Sequence, residues 1–289
     1  MLVQFSFSNY KCFKNQTTLN LTASNNKNSY NAIKTDHKYS VLKIMAVYGA
    51  NASGKTKLFD ALKFMREAVC PPMMDNSIPS FGYWQTKYDA FRLCTDCEAK
   101  ESSFEIIFIL DGVQYRYGFV LNGTSILSEW LYTKKQREAN SFLRENGEIT
   151  FTSHISDKIA SSLINAKMIS EQSLFLTVLK SFNEPLAVKI YEWISSIQVV
   201  SANDMYLDVD AIENEGTRKV ILDFIKAFDI NIEDLTPHEI KVEQIPDKIK
   251  HIIGIENLKG HTIYDDVHTS HKLYNGYYEK VGYREFSLI

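Results

Sequence analysis

The sequence predicts an α/β fold in which a phosphate-binding strand, loop and helix are joined to an antiparallel β subdomain and a helical insertion. Three observations point to it. Gly49-Ala50-Asn51-Ala52-Ser53-Gly54-Lys55-Thr56 satisfies G-x-x-x-x-G-K-[ST] at every defined position, with an apolar run before it and a helical repeat after it. Short β-type runs between Phe91 and Phe151 are separated by Asp-Gly and Asn-Gly turns. From Ile155 to Ile194 the apolar spacing becomes helical.

Taken in order, residues 2–7 alternate, with Val3, Phe5 and Phe7 set against Gln4 and Ser6, as in a half-buried strand. Ser8-Asn9 breaks that pattern, and Thr17–Thr22 supplies a second strand, so the two form a hairpin around Tyr10-Lys11-Cys12-Phe13. A polar stretch rich in Asn and Lys runs from Ala23 to Ser40. Ile44-Met45-Ala46-Val47-Tyr48 is the kind of apolar run that suits a central parallel strand. Beyond the loop, Leu58, Phe59, Leu62, Met65 and Val69 recur at helical spacing until Cys70-Pro71-Pro72 stops the helix.

The residue types of the loop follow from what it has to hold. Gly49 and Gly54 allow backbone turns that a side chain would block, so that successive N–H groups can point inward at phosphate oxygens. Lys55 adds a positive charge for the β- and γ-phosphates. Thr56 opens the helix, where its hydroxyl can ligate Mg²⁺ beside an N-terminus that attracts anions. Residues 49–57, Lys57 included, are therefore the candidate nucleotide-binding set, with ATP and Mg²⁺ as the expected cofactors.

Pro71, Pro72, Pro79 and Gly82 leave residues 71–88 irregular. Strands are expected at Phe91–Leu93, Phe104–Leu110, Val113–Leu121, Ile126–Thr133, Phe142–Arg144 and Ile149–Phe151, an antiparallel meander whose turns include Asp111-Gly112, Asn122-Gly123 and Asn146-Gly147. Two stretches imitate other parts of an ATPase site. Residues 106–111 end a hydrophobic run on Asp111, as a Walker B strand does, but Gly112 follows and the chain turns back, so Asp111 is read as a hairpin residue. Leu121-Asn122-Gly123-Thr124-Ser125 echoes a signature loop, yet a strand rather than a helix comes next.

Helices are expected around Ile159, Leu163 and Ile164, around Leu174, Phe175, Val178 and Leu179, and after Asn183 as cap with Pro185 in the first turn. Ile197–Val200 reads as a strand, Thr217–Phe228 as an amphipathic helix, and Ile240–Glu243 and Ile249–Ile255 as strands. Tyr264–Tyr274 and Val281–Ile289 suggest a final hairpin about Asn275-Gly276. The domains expected are thus a first part of the nucleotide-binding core at 1–70, the β subdomain at 71–154, the helical insertion at 155–195, and a return to the α/β core at 196–289.

A chain of 289 residues, 45% hydrophobic and 12% aromatic, has ample material for a core. Its net charge of −3 gives no overall pull toward nucleic acid or anionic lipid. The strongest basic cluster, Lys134-Lys135-Gln136-Arg137, reads as a solvated loop. No apolar run approaches the roughly 18 residues of a membrane span, and the N-terminus lacks a signal-peptide core, so a cytoplasmic location without membrane contact is expected. Four cysteines do not make a disulfide framework, and Cys94-Thr95-Asp96-Cys97 has no second ligand pair to complete a zinc site. His261, His268 and His271 lie in a strand-like stretch and read as ordinary side chains.

The N-terminal strand, the Asn9-Tyr10-Lys11-Cys12-Phe13 segment, the second strand, the long polar loop and Tyr48-Gly49-Ala50-Asn51-Ala52-Ser53-Gly54-Lys55-Thr56 together resemble the heads of ABC-type ATPases. More narrowly, they are similar to stand-alone prokaryotic AAA-domain ATP-binding proteins related to chromosome-maintenance and DNA-repair ATPase heads. The resemblance implies a P-loop NTPase with an ABC-ATPase-like head, in which Lys11 and Cys12 lie beside the nucleotide. It further implies a dimer or higher oligomer of heads that sandwiches ATP, anti-phage or DNA-transaction work, and a nuclease or other effector as partner. In such heads a strand like Arg284–Leu288 runs into a signature helix, a Walker B strand, a catalytic Glu and a switch His. None of these can be placed, so the chain reads as the first two-thirds of such a head, with hydrolysis expected only once the rest and a second head complete it. Two alternatives stay open: a regulatory module that senses ATP without hydrolysing it, and another P-loop enzyme such as a small-molecule kinase. A kinase of that kind usually begins with its P-loop strand, whereas about forty residues precede this one.

Overall fold

A computed structural model describes residues 1–24, 29–74, 78–95, 100–200, 209–228, 231–246, 250, 262–274 and 280–287. They fall into two units, Met1–Val199 and Val200–Ile289.

The first unit is built on one seven-stranded sheet. β1 (Leu2–Ser8) pairs with β2 (Thr17–Asn20); β3 (Ala32–Lys34) and β4 (Ser40–Leu42) form a separate small ladder. α1 (Lys55–Val69) follows the phosphate loop, and β5 (Met73–Met74) pairs with β6 (Ile78–Pro79). The meander comprises β7 (Ser102–Leu110), β8 (Val113–Leu121), β9 (Ile126–Lys134), β10 (Glu138–Glu145) and β11 (Glu148–Phe151). The sheet order is β11-β10-β9-β8-β7-β1-β2, antiparallel at every pairing. It draws strands from both sides of residue 70, because β1 lies directly against β7 with Phe5 opposite Ile106 and Phe7 opposite Phe104.

The turns carry out their sequence signals. Asp111 and Gly112 have φ of 51° and 74°, and Asn146 and Gly147 have 52° and 82°, the left-handed pair that a tight two-residue hairpin needs. Asn122 instead accepts from the N–H groups of Thr124 and Ser125 and closes a longer turn.

Alternation puts one set of side chains on the inner face: Phe5, Phe7, Phe104, Ile106, Phe108, Tyr117, Phe119, Leu131 and Phe142 are all buried there. α1 covers this face with Leu58, Ala61, Leu62, Met65 and Val69, and Phe64 brings its ring within 4.9 Å of Phe104 and 5.0 Å of Tyr10. Each such aromatic contributes about 2–3 kcal/mol through burial. α2 (Asp157–Asn165), α3 (Phe175–Ser181) and α4 (Pro185–Ser195) complete the layer, with Trp193 stacked on Phe108 at 3.8 Å. Hydrogen bonds fix α1 from outside the sheet, from Thr177 Oγ1 to Val69 O and from Arg66 Nε to Ser195 O.

A buried carboxylate locks the helical layer to the sheet. Glu129 on β9 accepts from the N–H groups of Phe175 and Leu176, which open α3, and from the Tyr117 hydroxyl. Burial pushes its carboxyl up from the ordinary range, opposed by those donors and by Arg144. Arg144, also buried, donates to the carbonyls of Ser170 and Ser173.

Several expectations need correcting. Ile44–Tyr48 forms no ladder: Ile44 is 73% exposed and Tyr48 89%, because no strand among the described residues runs beside them. Phe91–Leu93 and Ile197–Val200 are likewise extended or bent without pairing. Asn183 does not cap α4; it takes a left-handed φ of 58°, and Glu184 is the cap, accepting from Ala187 N.

In the second unit, β12 (Asp234–Lys241), β13 (Thr262–Tyr274) and β14 (Lys280–Ser287) form an antiparallel sheet in that order. β12 starts before the expected Ile240 and ends at Lys241. The strand expected at 249–255 lies outside the described residues except for Lys250, as does the Asn275-Gly276 turn. α5 (Val209–Glu213) and α6 (Glu215–Ala227) pack through Ile212, Ile221, Leu222 and Ile225 against Leu235 and Val267. Asn214 caps α6 by accepting from Thr217 N. No helix among the described residues is long and apolar enough to cross a membrane.

Candidate functional site

The phosphate loop has the shape its glycines were expected to permit. A Cβ at Gly49 would stand 2.6 Å from Ser53 Oγ. At Gly54, where φ is 92°, a Cβ would stand 3.0 Å from Cys12 Sγ and 3.1 Å from Phe13 Cζ. Ala52 also lies in the left-handed region, at φ 63°. The loop is therefore a curved backbone cradle in which a side chain would crowd Ser53 at Gly49 and the Cys12–Phe13 wall at Gly54.

α1 begins at Lys55 with Gly54 as its N-cap residue and no side-chain cap hydrogen bond, which leaves its first turn presenting N–H groups to an anion. Lys55 Nζ donates to the carbonyls of Gly49 at 2.7 Å and Ala50 at 2.6 Å, so its charge already spans the cradle. Thr56 is exposed on the first turn, where its hydroxyl can reach a cation held against phosphate oxygens. Ala50, Asn51 and Ala52 form the exposed rim, and Ser53 N donates to Ala50 O. These residues fit a nucleotide phosphate with its Mg²⁺, through backbone N–H groups, Lys55 and Thr56 respectively.

The Tyr10–Phe13 turn forms the second wall. Tyr10 and Phe13 exchange backbone hydrogen bonds at 2.9 Å, which brings Cys12 and the Phe13 ring against Gly54. Lys11 adopts a φ of 50°, rare for a residue with a side chain, and its N–H donates to Asp89 O at 2.7 Å. Its Nζ reaches Asp60 Oδ2 on α1 at 2.8 Å, and Lys57 Nζ reaches the same oxygen at 3.0 Å. Lys11, Cys12, Lys57, Asp89, Ala90, Arg92 and Leu93 line a cavity of about 410 Å³. Lys11 and Cys12 thus lie beside the loop.

Sequence reasoning missed Asp60, Asp89 and Arg92. Asp60 had a signal, since it falls four residues after Thr56 and so one turn further along the same face of α1. Asp89 and Arg92 had none, because they lie in an irregular stretch that the Lys11 hydrogen bond and the packing of Tyr88 and Ala90 bring here.

The other candidate residues lie elsewhere. Asp111 is a hairpin residue whose carboxylate pairs with Lys189 of α4 at 2.8 Å. Asn122 to Ser125 form a closed turn. Cys94 is disulfide-bonded, and Cys97 lies outside the described residues. His268 stacks on His238 at 4.5 Å, His271 bonds Thr269, and His261 lies outside the described residues. Among the described residues no group of three or more His, Cys, Asp or Glu could hold a metal ion.

A family profile described as an AAA domain, putative AbiEii toxin, Type IV TA system, matches residues 44–158, less than half of the chain. A search of curated proteins finds no match. The matched segment runs from the apolar stretch before the phosphate loop through the meander to the start of α2. Residues 44–158 are therefore similar to a P-loop domain of the AAA ATPase type, and ATP binding is the activity this likeness supports.

Proposed function

We propose that this chain binds Mg·ATP in the 49–56 loop as the nucleotide-binding part of an ABC-type ATPase head. The observation that supports it most directly is the cradle at Gly49 and Gly54, open to an uncapped helix N-terminus and spanned by Lys55. When bound, Mg·ATP supplies a triphosphate whose charge the loop N–H groups and Lys55 neutralise, while Thr56 holds the cation.

Hydrolysis requires carboxylates that ligate the metal and polarise water. Asp111 is engaged by Lys189, so the carboxylates would come from a further lobe and a second head. The same lobe would give Ile44–Tyr48 the strand neighbours it lacks among the described residues. The profile's description mentions a putative toxin of a toxin–antitoxin system, in keeping with a switch in anti-phage defence or DNA transactions that acts with a nuclease or other effector. The ion pair at Asp111 also favours a second reading, a module that senses ATP without hydrolysing it.

Calorimetric titration of the full chain with Mg·ATP tests the binding. Lys55→Ala is expected to abolish the heat of binding with little change in melting temperature, and equal affinity in variant and parent would overturn the assignment. Phosphate release should stay at background for the chain alone, and Asp111→Asn should leave it there.

A further inference from the structure

The ion-paired trio of Lys11, Lys57 and Asp60 borders the phosphate loop without belonging to it. Both ammonium groups reach one oxygen of Asp60, from different directions: Lys57 from three residues earlier on α1, Lys11 from the β1–β2 turn. Both lysines line the 410 Å³ cavity, whereas Asp60 does not. Asp60 therefore holds both lysines without itself lining the cavity.

The arrangement is costly to build. Lys11 is held in a backbone region that disfavours side chains, by its N–H on Asp89 and its ammonium on Asp60. Partial burial by itself would raise the Asp60 carboxyl, but hydrogen bonds from Lys11 and Lys57 outweigh it and lower it from the ordinary value.

Resting on the reading of residues 49–56 as a phosphate cradle, we propose that Asp60 is a positioning residue: it fixes the Lys11 and Lys57 ammonium groups on the cavity wall so that the cavity takes the ribose and base of the nucleotide whose phosphates occupy the loop. Two freed lysines would have to be ordered again at each binding event, and that ordering opposes binding. Loss of the Asp60 charge alone acts the other way, because removing a carboxylate near a polyanion strengthens attraction for any polyphosphate. Ligands with and without a nucleoside therefore separate the two effects.

The experiment is calorimetric titration of the full chain and of Asp60→Asn and Asp60→Glu, with Mg·ATP and with Mg·tripolyphosphate, alongside melting temperatures. Asp60→Asn should weaken Mg·ATP about tenfold while tripolyphosphate binds as before or more tightly. Asp60→Glu, which keeps a carboxylate within reach of both lysines, should recover most of the ATP affinity. Asp60→Asn that binds ATP as tightly as the parent, or that loses ATP and tripolyphosphate by one common factor, overturns the proposal. If the parent binds tripolyphosphate as tightly as ATP, the cavity plays no part and this proposal alone fails. If it binds neither, the phosphate cradle fails first and the role of Asp60 with it.

Discussion

Residues 44–48 and 104–110 have similar apolar strand-forming sequences and meet opposite fates. Phe104, Ile106 and Phe108 are fully buried in β7, which has β1 on one side and β8 on the other. Ile44 and Tyr48 face solvent, and their stretch has no ladder neighbour among the described residues. Apolar composition makes a stretch able to be a strand, but the neighbours that take its backbone hydrogen bonds decide whether it is one. β7 obtains both neighbours within the first unit. The run before the phosphate loop does not, although the loop and helix after it are already shaped.

The comparison can be broken most forcefully at Glu129, which bonds the meander to α3. Glu129→Ala leaves two backbone N–H groups and the Tyr117 hydroxyl buried without their acceptor, and should cost about 3–5 kcal/mol in chemical denaturation. A loss below 1 kcal/mol by that measure would mean the helical layer stands without the carboxylate.

Gly118 offers the next largest effect. A Cβ there would meet Trp130 Cζ2 at 2.5 Å and the Phe104 carbonyl oxygen at 2.7 Å, so Gly118→Ala should destabilise by about 1–3 kcal/mol, read from the urea midpoint. Unchanged stability would show that β8 and β9 pack less closely than described.

A smaller effect depends on pH. The Glu129 carboxyl titrates higher in the folded chain than in the unfolded one, so between the two values the folded state binds more protons. Its contribution to stability is therefore greatest below the unfolded value near 4.5 and declines as pH rises through the folded value. Glu129→Gln should remove that slope from stability-versus-pH curves, and an identical slope in the variant would contradict the assignment.

The smallest change is expected in the other region. Ile44→Ser and Tyr48→Ser should each alter the stability of the isolated chain by no more than about 0.5 kcal/mol, since both side chains are exposed. A loss comparable to Gly118→Ala would show that this stretch is packed in solution. In a preparation where a partner supplies neighbouring strands, the same substitutions should become costly, which sharpens the contrast with β7.

Much of this was legible in advance because the controlling physics is local. Asp111-Gly112 and Asn146-Gly147 specify their turns through residues that tolerate left-handed backbone, and α1 follows from its apolar spacing and the prolines that end it. The G-x-x-x-x-G-K-[ST] spacing foretold the cradle for the same reason: a backbone that must approach a ligand closely has little choice of residue. Failures fell where a distant partner chooses. Glu184 rather than Asn183 caps α4, and its other carboxylate oxygen accepts from Ser156 N, across 28 residues.

By itself, then, the sequence determined the phosphate loop, the helix after it, the meander and its turns, since each depends on backbone freedom or periodicity within a few residues. Only the tertiary structure decided that β1 lies against β7, that Glu129 serves as the cap of α3, and that Lys11 and Lys57 share Asp60 beside a cavity that Asp89 and Arg92 help to line. Apart from the Lys57–Asp60 pair, three residues apart on α1, those outcomes rest on hydrogen bonds and ion pairs between residues about fifty to a hundred positions apart, or on a helix face meeting a turn. No pattern along the chain encodes such a partner until burial removes water and leaves each polar group to find another.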